Sequence, residues 1–153
     1  LRYEHCCSLA EIQAEIQRLV DSGFLSKEEA QLVDCQKLAC FFQSEIGRKL
    51  RSGVEHIREF KFSILDRGEK YGEGLDGEQV LLQGVVDCAL LETDGITVLD
   101  FKTDYVTEEN VDQRAEYYRP QLETYCEALS RIYERPVKAA YLYFFKLDKF
   151  MVI

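Results

Sequence analysis

The spacing of apolar residues changes period several times along the chain. Leu9, Ile12, Ile16, Leu19 and Val20 recur at three- and four-residue steps, the signature of one helix face. Ser8-Leu9-Ala10-Glu11 reads as a capping box in front of that face, and Gly23 as its stop. Ser26-Lys27-Glu28-Glu29 repeats the capping signature for a short helix. Asp34 caps a third helix, which carries Leu38, Phe41 and Phe42 and fades at Gly47. From His56 the period drops to two. Ile57, Glu59, Lys61 and Ser63 fall on one side, and Arg58, Phe60, Phe62 and Ile64 on the other, which predicts a strand with one strongly apolar face. Residues 67–77 hold Gly68, Gly72, Gly74 and Gly77 and read as a mobile loop. Residues 81–92 and 96–101 are apolar, β-branched runs. Helical spacing returns over residues 111–133, with a break or kink expected before Pro120. Residues 137–145 form a strand, and Leu147-Asp148-Lys149 turns into a last one. The order is helices, three strands, helix, two strands. It predicts an α/β core with a mixed β-sheet flanked by helices, divided into a helical part, residues 1–54, and a core, residues 55–153.

The second and third strands make a hairpin around Thr93-Asp94-Gly95. With Asp94-Gly95 as a two-residue turn, Thr93 faces Ile96, Asp87 faces Lys102 and Asp100 faces Ala89. Asp87, Asp100 and Lys102 then emerge on one face, since opposite Cβ atoms lie about 5 Å apart and diagonal ones about 7–8 Å. A three-residue turn would shift the register and break this triangle. Two carboxylates at that spacing can hold a divalent metal. Magnesium takes one or two protein carboxylates and keeps several waters, and the Phe101 carbonyl can add an oxygen ligand. Lys102 is a compact cation suited to positioning an attacking water or stabilising phosphorane charge. On the following helix Tyr118, Gln121 and Tyr125 share one face. Gln121 and Tyr125 can hydrogen-bond phosphate oxygens, and Tyr125 can stack on a base. The competing reading is a plain cross-strand ion pair. Against it, Asp87 and Asp100 each end a run of apolar residues, where a carboxylate is costly without a partner or a task.

Bulk properties narrow the picture. The chain has 153 residues, 46% of them hydrophobic and 31% charged, ordinary for a globular domain. The net charge of −9 disfavours autonomous nucleic-acid binding, which draws its affinity from basic side chains. A metal-dependent nuclease stays open, because a bound cation offsets site carboxylates. Cys6, Cys7, Cys35, Cys40, Cys88 and Cys126 match no zinc or iron–sulfur spacing. Read as free thiols, they point to a reducing compartment, the cytoplasm. No stretch reaches the roughly 20 apolar residues that span a bilayer. The start at Leu1 and the apolar end at Ile153 suggest a piece of a longer protein.

Four segments in order resemble the RecB-type branch of the PD-(D/E)XK nuclease superfamily. They are Arg58-Glu59-Phe60-Lys61-Phe62, Gly84-Val85-Val86-Asp87, Asp100-Phe101-Lys102-Thr103-Asp104 and Gln121-Leu122-Glu123-Thr124-Tyr125. Phe41-Phe42-Gln43-Ser44-Glu45-Ile46-Gly47 and Tyr141-Leu142-Tyr143-Phe144-Phe145 narrow the resemblance to the C-terminal nuclease domains of the AddA family of bacterial helicase–nucleases. The resemblance implies a restriction-endonuclease-like fold and magnesium-dependent cleavage, with Mn²⁺ able to substitute. The substrate it implies is single-stranded DNA unwound by a helicase portion of the same chain, in double-strand break repair by homologous recombination. It implies an AddB-like partner subunit. It carries Asp87 and Asp100 over as metal ligands, Lys102 as the catalytic lysine, and Gln121 and Tyr125 as the motif that supports the site and contacts DNA. Glu59 matches a characteristic strand position of undefined role. The family's Gly-x-x-x-His motif has no counterpart at His5, so it is expected upstream of Leu1. The cysteine cluster of AddB and of Cas4-like relatives is absent. The alternative is a catalytically silent docking module that kept the fold; the intact Asp87, Asp100 and Lys102 set argues against it.

Overall fold

In the computed structural model, which describes residues 1–153, the chain divides into two units, Leu1–Glu55 and His56–Ile153. The first is helical: α1 (Leu9–Asp21), α2 (Lys27–Leu32), α3 (Cys35–Gln43) and α4 (Glu45–Arg51). Ser8 caps α1 by accepting the Glu11 N–H at 3.3 Å, but the Glu11 carboxylate takes the Cys7 N–H instead of returning to Ser8. Only half of the expected capping box forms there. Ser26 and Glu29 complete theirs at the start of α2. The third helix does not fade at Gly47. It stops at Ser44, whose hydroxyl accepts the Gly47 N–H at 3.0 Å and caps α4. Gly47 allows this tight fold-back, because a Cβ there would sit 2.2 Å from the Phe41 carbonyl oxygen. The apolar stripe of α1 also buries Glu15, between Arg18 (2.9 Å) and Arg2 (2.8 Å). Their hydrogen bonds, that of Arg18 foremost, hold its carboxyl well below the usual carboxylate range.

The second unit is a five-stranded mixed sheet of β1 (His56–Arg67), β2 (Gln79–Glu92), β3 (Gly95–Lys102), β4 (Val137–Phe144) and β5 (Lys149–Val152), in spatial order of sequence. Only β3 and β4 run parallel, a pairing that needs a long crossover. The crossover is α5 (Val111–Tyr133). It runs through Pro120 without the break that was one of the two expected outcomes there. A proline inside a helix costs about 3 kcal/mol. Ala115 before it and Leu122 after it both lie in the core, so packing on either side holds the helix together. With Leu122 and Leu129, the core takes in Val86, Val98 and Leu142 from three strands.

The strict alternation expected of β1 fails at one residue. Ile57 packs on the same core as Phe60, Phe62 and Ile64, a step of three rather than two. Glu59 lies between them with φ at 49°, a left-handed turn of the backbone costing about 1–2 kcal/mol. β2 changes phase at the same level. Ala89 and Leu91 share the core with Val86, and Asp87 lies between. Because both strands change phase together, the β1–β2 register is the same above and below, with Arg58 opposite Cys88 and Phe60 opposite Val86.

Two details of this unit are directly testable. Gly84 faces α5 so closely that a Cβ would lie 2.8 Å from the Phe62 ring and 2.9 Å from the Tyr125 ring. Gly84→Ala is expected to destabilise the fold by about 1–3 kcal/mol in denaturant unfolding, the usual cost of overpacking. The buried Asp66 anchors the glycine-rich loop, accepting hydrogen bonds from the Tyr71 hydroxyl (2.7 Å), the Arg67 N–H (2.8 Å) and the Lys70 ammonium (3.1 Å). Lys70 in turn pairs with Glu127 of α5 at 2.7 Å. The Tyr71 hydrogen bond, more than any other contact, brings the Asp66 carboxyl from 3.8 down to about 2. A carboxyl held low in the native state stabilises it above the unfolded pKa and stops doing so as pH falls through the native one. Asp66→Asn should therefore lower the melting temperature near neutral pH, and the gap should close as the pH falls from about 4 to about 2. Thermal denaturation followed by circular dichroism across that range reads it.

Candidate active site

The hairpin joining β2 and β3 turns at Thr93-Asp94, with Glu92 opposite Gly95 and Leu91 opposite Ile96. This corrects the expected Asp94-Gly95 turn, which set Thr93 against Ile96. Gly95 is not a turn residue. It lies in β3 where a Cβ would meet the Pro136 carbonyl at 2.9 Å and the Lys138 Cβ at 3.2 Å. The glycine is there for the close approach of the segment entering β4. The register thus moves by two residues, and Asp87 comes level with Asp100 rather than Lys102. A shift of two preserves side-chain parity, so the expected cluster survives the wrong register.

The β2–β3 ladder ends at Cys88 opposite Leu99. Where the next bond toward β2 would fall, the Phe101 N–H donates to the Asp87 carboxylate at 2.8 Å. The strands part at this point, and Asp87 spans the gap with its side chain. The N–H and C=O of a strand residue point to the same side, so the Phe101 carbonyl is directed toward the same gap. Asp100 is buried, 3% exposed. Its Oδ2 forms a close ion pair with the Lys102 ammonium at 2.6 Å, and the Asp87 carboxylate lies beside it. Burial pushes the Asp100 carboxyl up, Lys102 pulls it back, and the neighbouring Asp87 carboxylate pushes it up again.

α5 supplies the far wall. The Lys102 ammonium donates to Gln121 Oε1 at 3.1 Å, and Gln121 Nε2 donates to the Tyr125 hydroxyl at 2.7 Å. The five side chains expected to act together, Asp87, Asp100, Lys102, Gln121 and Tyr125, are therefore joined by contacts. One expectation fails: Tyr125 is 7% exposed and packs edge-on against Phe62, so no base can stack on it. Its ring fills the space over Gly84 and only its hydroxyl reaches the polar cluster. The Lys102 ammonium also lies 3.8 Å above the Tyr118 ring, a cation–π contact. The Tyr118 hydroxyl donates to Asp104, which also accepts from Arg114 at 3.2 Å. The Tyr118 hydrogen bond, then Arg114, holds the Asp104 carboxyl below its ordinary value. Arg114 is the residue that the sequence pattern alone does not single out. It carries a signal all the same: Arg114, Tyr118, Gln121 and Tyr125 continue one helical stripe by one more turn. Glu59 is level with Asp87 in the β1–β2 register and exposed.

No group of three or more His, Cys, Asp or Glu side chains is arranged to hold a metal. The cluster nonetheless fits a hard divalent cation. Two carboxylates adjoin with one ammonium, that of Lys102 on Asp100, to offset them, one of the two is buried, and every donor on offer is oxygen, the set that suits magnesium or manganese. The six cysteines are all free thiols, and burial pushes Cys88 up to about 12 and Cys126 to about 11. No helix is long and apolar enough to cross a membrane.

Residues 2–150 match the PD-(D/E)XK nuclease superfamily, whose members generally use divalent metals. The chain is similar to an ATP-dependent helicase/nuclease subunit of Geobacillus thermodenitrificans, at 38% identity over 93% of this chain and 12% of that protein. It is 37% identical to the protein of the same name from Thermoanaerobacter sp., over 90% of this chain and 12% of that protein. With its namesake in Clostridium novyi it shares 30% identity over 97% of this chain and 12% of that protein. The chain thus spans about an eighth of the length of these relatives. A mixed α/β sheet, carboxylates where two of its strands part, and a match over nearly the whole length lead to one conclusion: the chain belongs to the PD-(D/E)XK nuclease superfamily.

Proposed function

We propose that this chain is the nuclease domain of a bacterial helicase–nuclease, hydrolysing phosphodiester bonds of single-stranded DNA during double-strand break repair. The helicase portion of the same chain would supply strands unwound from duplex ends, in the cytoplasm and in complex with an AddB-like partner. The observation that carries the reading is Asp100, a buried carboxylate set beside the Asp87 carboxylate and 2.6 Å from the Lys102 ammonium. A structural ion pair has no need of the second carboxylate.

Asp87, Asp100 and the Phe101 carbonyl would hold Mg²⁺, or Mn²⁺ in its place. When bound, such a cation activates water and stabilises the charge that develops on phosphate. Asp87 does two things at once: one oxygen fixes the Phe101 backbone, and the carboxylate adds negative charge beside Asp100. Lys102 is held from three sides by Asp100, Gln121 and the Tyr118 ring. A cation fixed in this way needs little reorganisation to meet an attacking water or a phosphate oxygen. Gln121 and Tyr125 are positioning residues, holding Lys102 in line through one amide.

Two measurements test the reading. Cleavage of linear single-stranded DNA in Mg²⁺ or Mn²⁺ should cease in EDTA and fall roughly a hundredfold or more in Asp100→Ala, the scale of losing a preorganised charge at a reacting centre. An Asp100→Ala protein as active as wild type would sink the assignment and favour the docking module. Independently of turnover, Mn²⁺ at about a hundred times its dissociation constant should stabilise the fold by about 2.7 kcal/mol. Thermal unfolding should rise by several degrees in the wild type and stay unchanged in Asp87→Ala.

A further inference from the structure

The loop after β3 and the first turns of α5 enclose a cleft of about 470 Å³, lined by Asp104, Tyr105, Asn110, Gln113, Arg114 and Tyr117. Two of its walls are tyrosines that the fold does not bury: Tyr105 is 79% exposed and Tyr117 69%. Each carries a cation on its ring. The Lys146 ammonium lies 4.9 Å from the Tyr105 centroid, and the Arg114 guanidinium 4.9 Å from that of Tyr117. The cleft adjoins the carboxylate cluster through an unbroken series of contacts. Asp104 fixes both Arg114 and the Tyr118 hydroxyl, and the Tyr118 ring lies beneath Lys102.

Each of these features suits a nucleotide. A solvent-facing aromatic ring offers a stacking surface to any base, since every base has a π-face. A guanidinium held by a carboxylate and laid on a ring is preorganised to meet a phosphate with its remaining donors. Gln113 and Asn110 bring hydrogen-bonding amides without negative charge. In a chain of net charge −9, Arg114 and Lys146 are the cations placed at this cleft. We propose that this cleft is a single-stranded DNA subsite next to the candidate catalytic centre, in which Tyr105 and Tyr117 stack neighbouring bases and Arg114 meets the phosphate between them. It is sequence-tolerant and admits a strand only when its bases are unpaired. The inference rests on the nuclease reading and adds where the strand lies.

The test uses the full-length natural protein and an oligodeoxythymidylate with one 5-iodouracil, irradiated in EDTA so that cleavage is off, with adducts mapped by peptide mass spectrometry. Adducts are expected on Tyr105 or Tyr117. In steady-state cleavage of the same oligonucleotide, Tyr105→Ala and Tyr117→Ala should each raise KM about tenfold, the scale of one lost base stack, with a smaller change in kcat. Tyr117→Phe should restore KM, because stacking does not use the hydroxyl. Adducts elsewhere only, with KM unchanged in both alanine variants of a protein that cleaves, would overturn the subsite and leave the nuclease reading standing. A wild type that cleaves nothing in Mg²⁺ or Mn²⁺ would overturn both.

Discussion

One hydrogen bond organises this molecule: the Asp87 carboxylate accepts the Phe101 N–H in place of a strand carbonyl. A β-ladder normally satisfies its own backbone, and an unpaired buried N–H costs as much as a lost hydrogen bond. By taking that role, Asp87 lets β2 and β3 separate without leaving the donor unmatched. The gap that opens is where Asp100, Lys102 and the Phe101 carbonyl can approach the same volume. The phase change at Glu59 belongs to the same device. Both strands of the outer hairpin shift together, so Phe60 and Val86 still reach the core beyond the point where the ladder has let go.

Polar groups here are set against one another rather than each being satisfied in turn. Asp100 is buried against its preference for the charged form, and Asp87 beside it adds repulsion. The single ammonium of Lys102 offsets part of this. A fold selected only for stability would replace the pair with apolar side chains, since buried ion pairs often stabilise no more than hydrophobic groups of the same volume. The strain is concentrated in one place, and the surroundings are well matched: Gln121 and Tyr125 satisfy each other, and the Tyr125 ring fills the space that Gly84 leaves open. Local conflict inside an otherwise consistent core is what functional sites look like.

Much of this is legible from residue spacing. The helix starts at Ser8, Ser26 and Asp34, the α/β order, and the clustering of Asp87, Asp100 and Lys102 all follow from short-range pattern. The clustering follows even from a wrong register. Asp94-Gly95 has the composition of a tight turn, but the glycine is required by the Pro136 carbonyl, more than forty residues on in the chain. The cluster survives because parity, not register, decides which face a side chain takes. Gly47 and Pro120 mislead for a similar reason. Each is a local helix breaker, and each is overridden by a contact or by packing that no local window contains.

By itself, the sequence determined the periodicities, the caps and the two-residue alternation that brings the carboxylates and the lysine together, because these depend on neighbours within a few residues. Tertiary structure decided the rest. It buried the Tyr125 ring and left Tyr105 and Tyr117 in solvent, although all three are tyrosines in or beside one helix. It turned Glu59 into a left-handed conformation and brought Arg114 against Asp104. Burial, strand separation and the choice of which aromatic ring meets water are set by segments distant in the chain, and no local pattern encodes where those segments will lie.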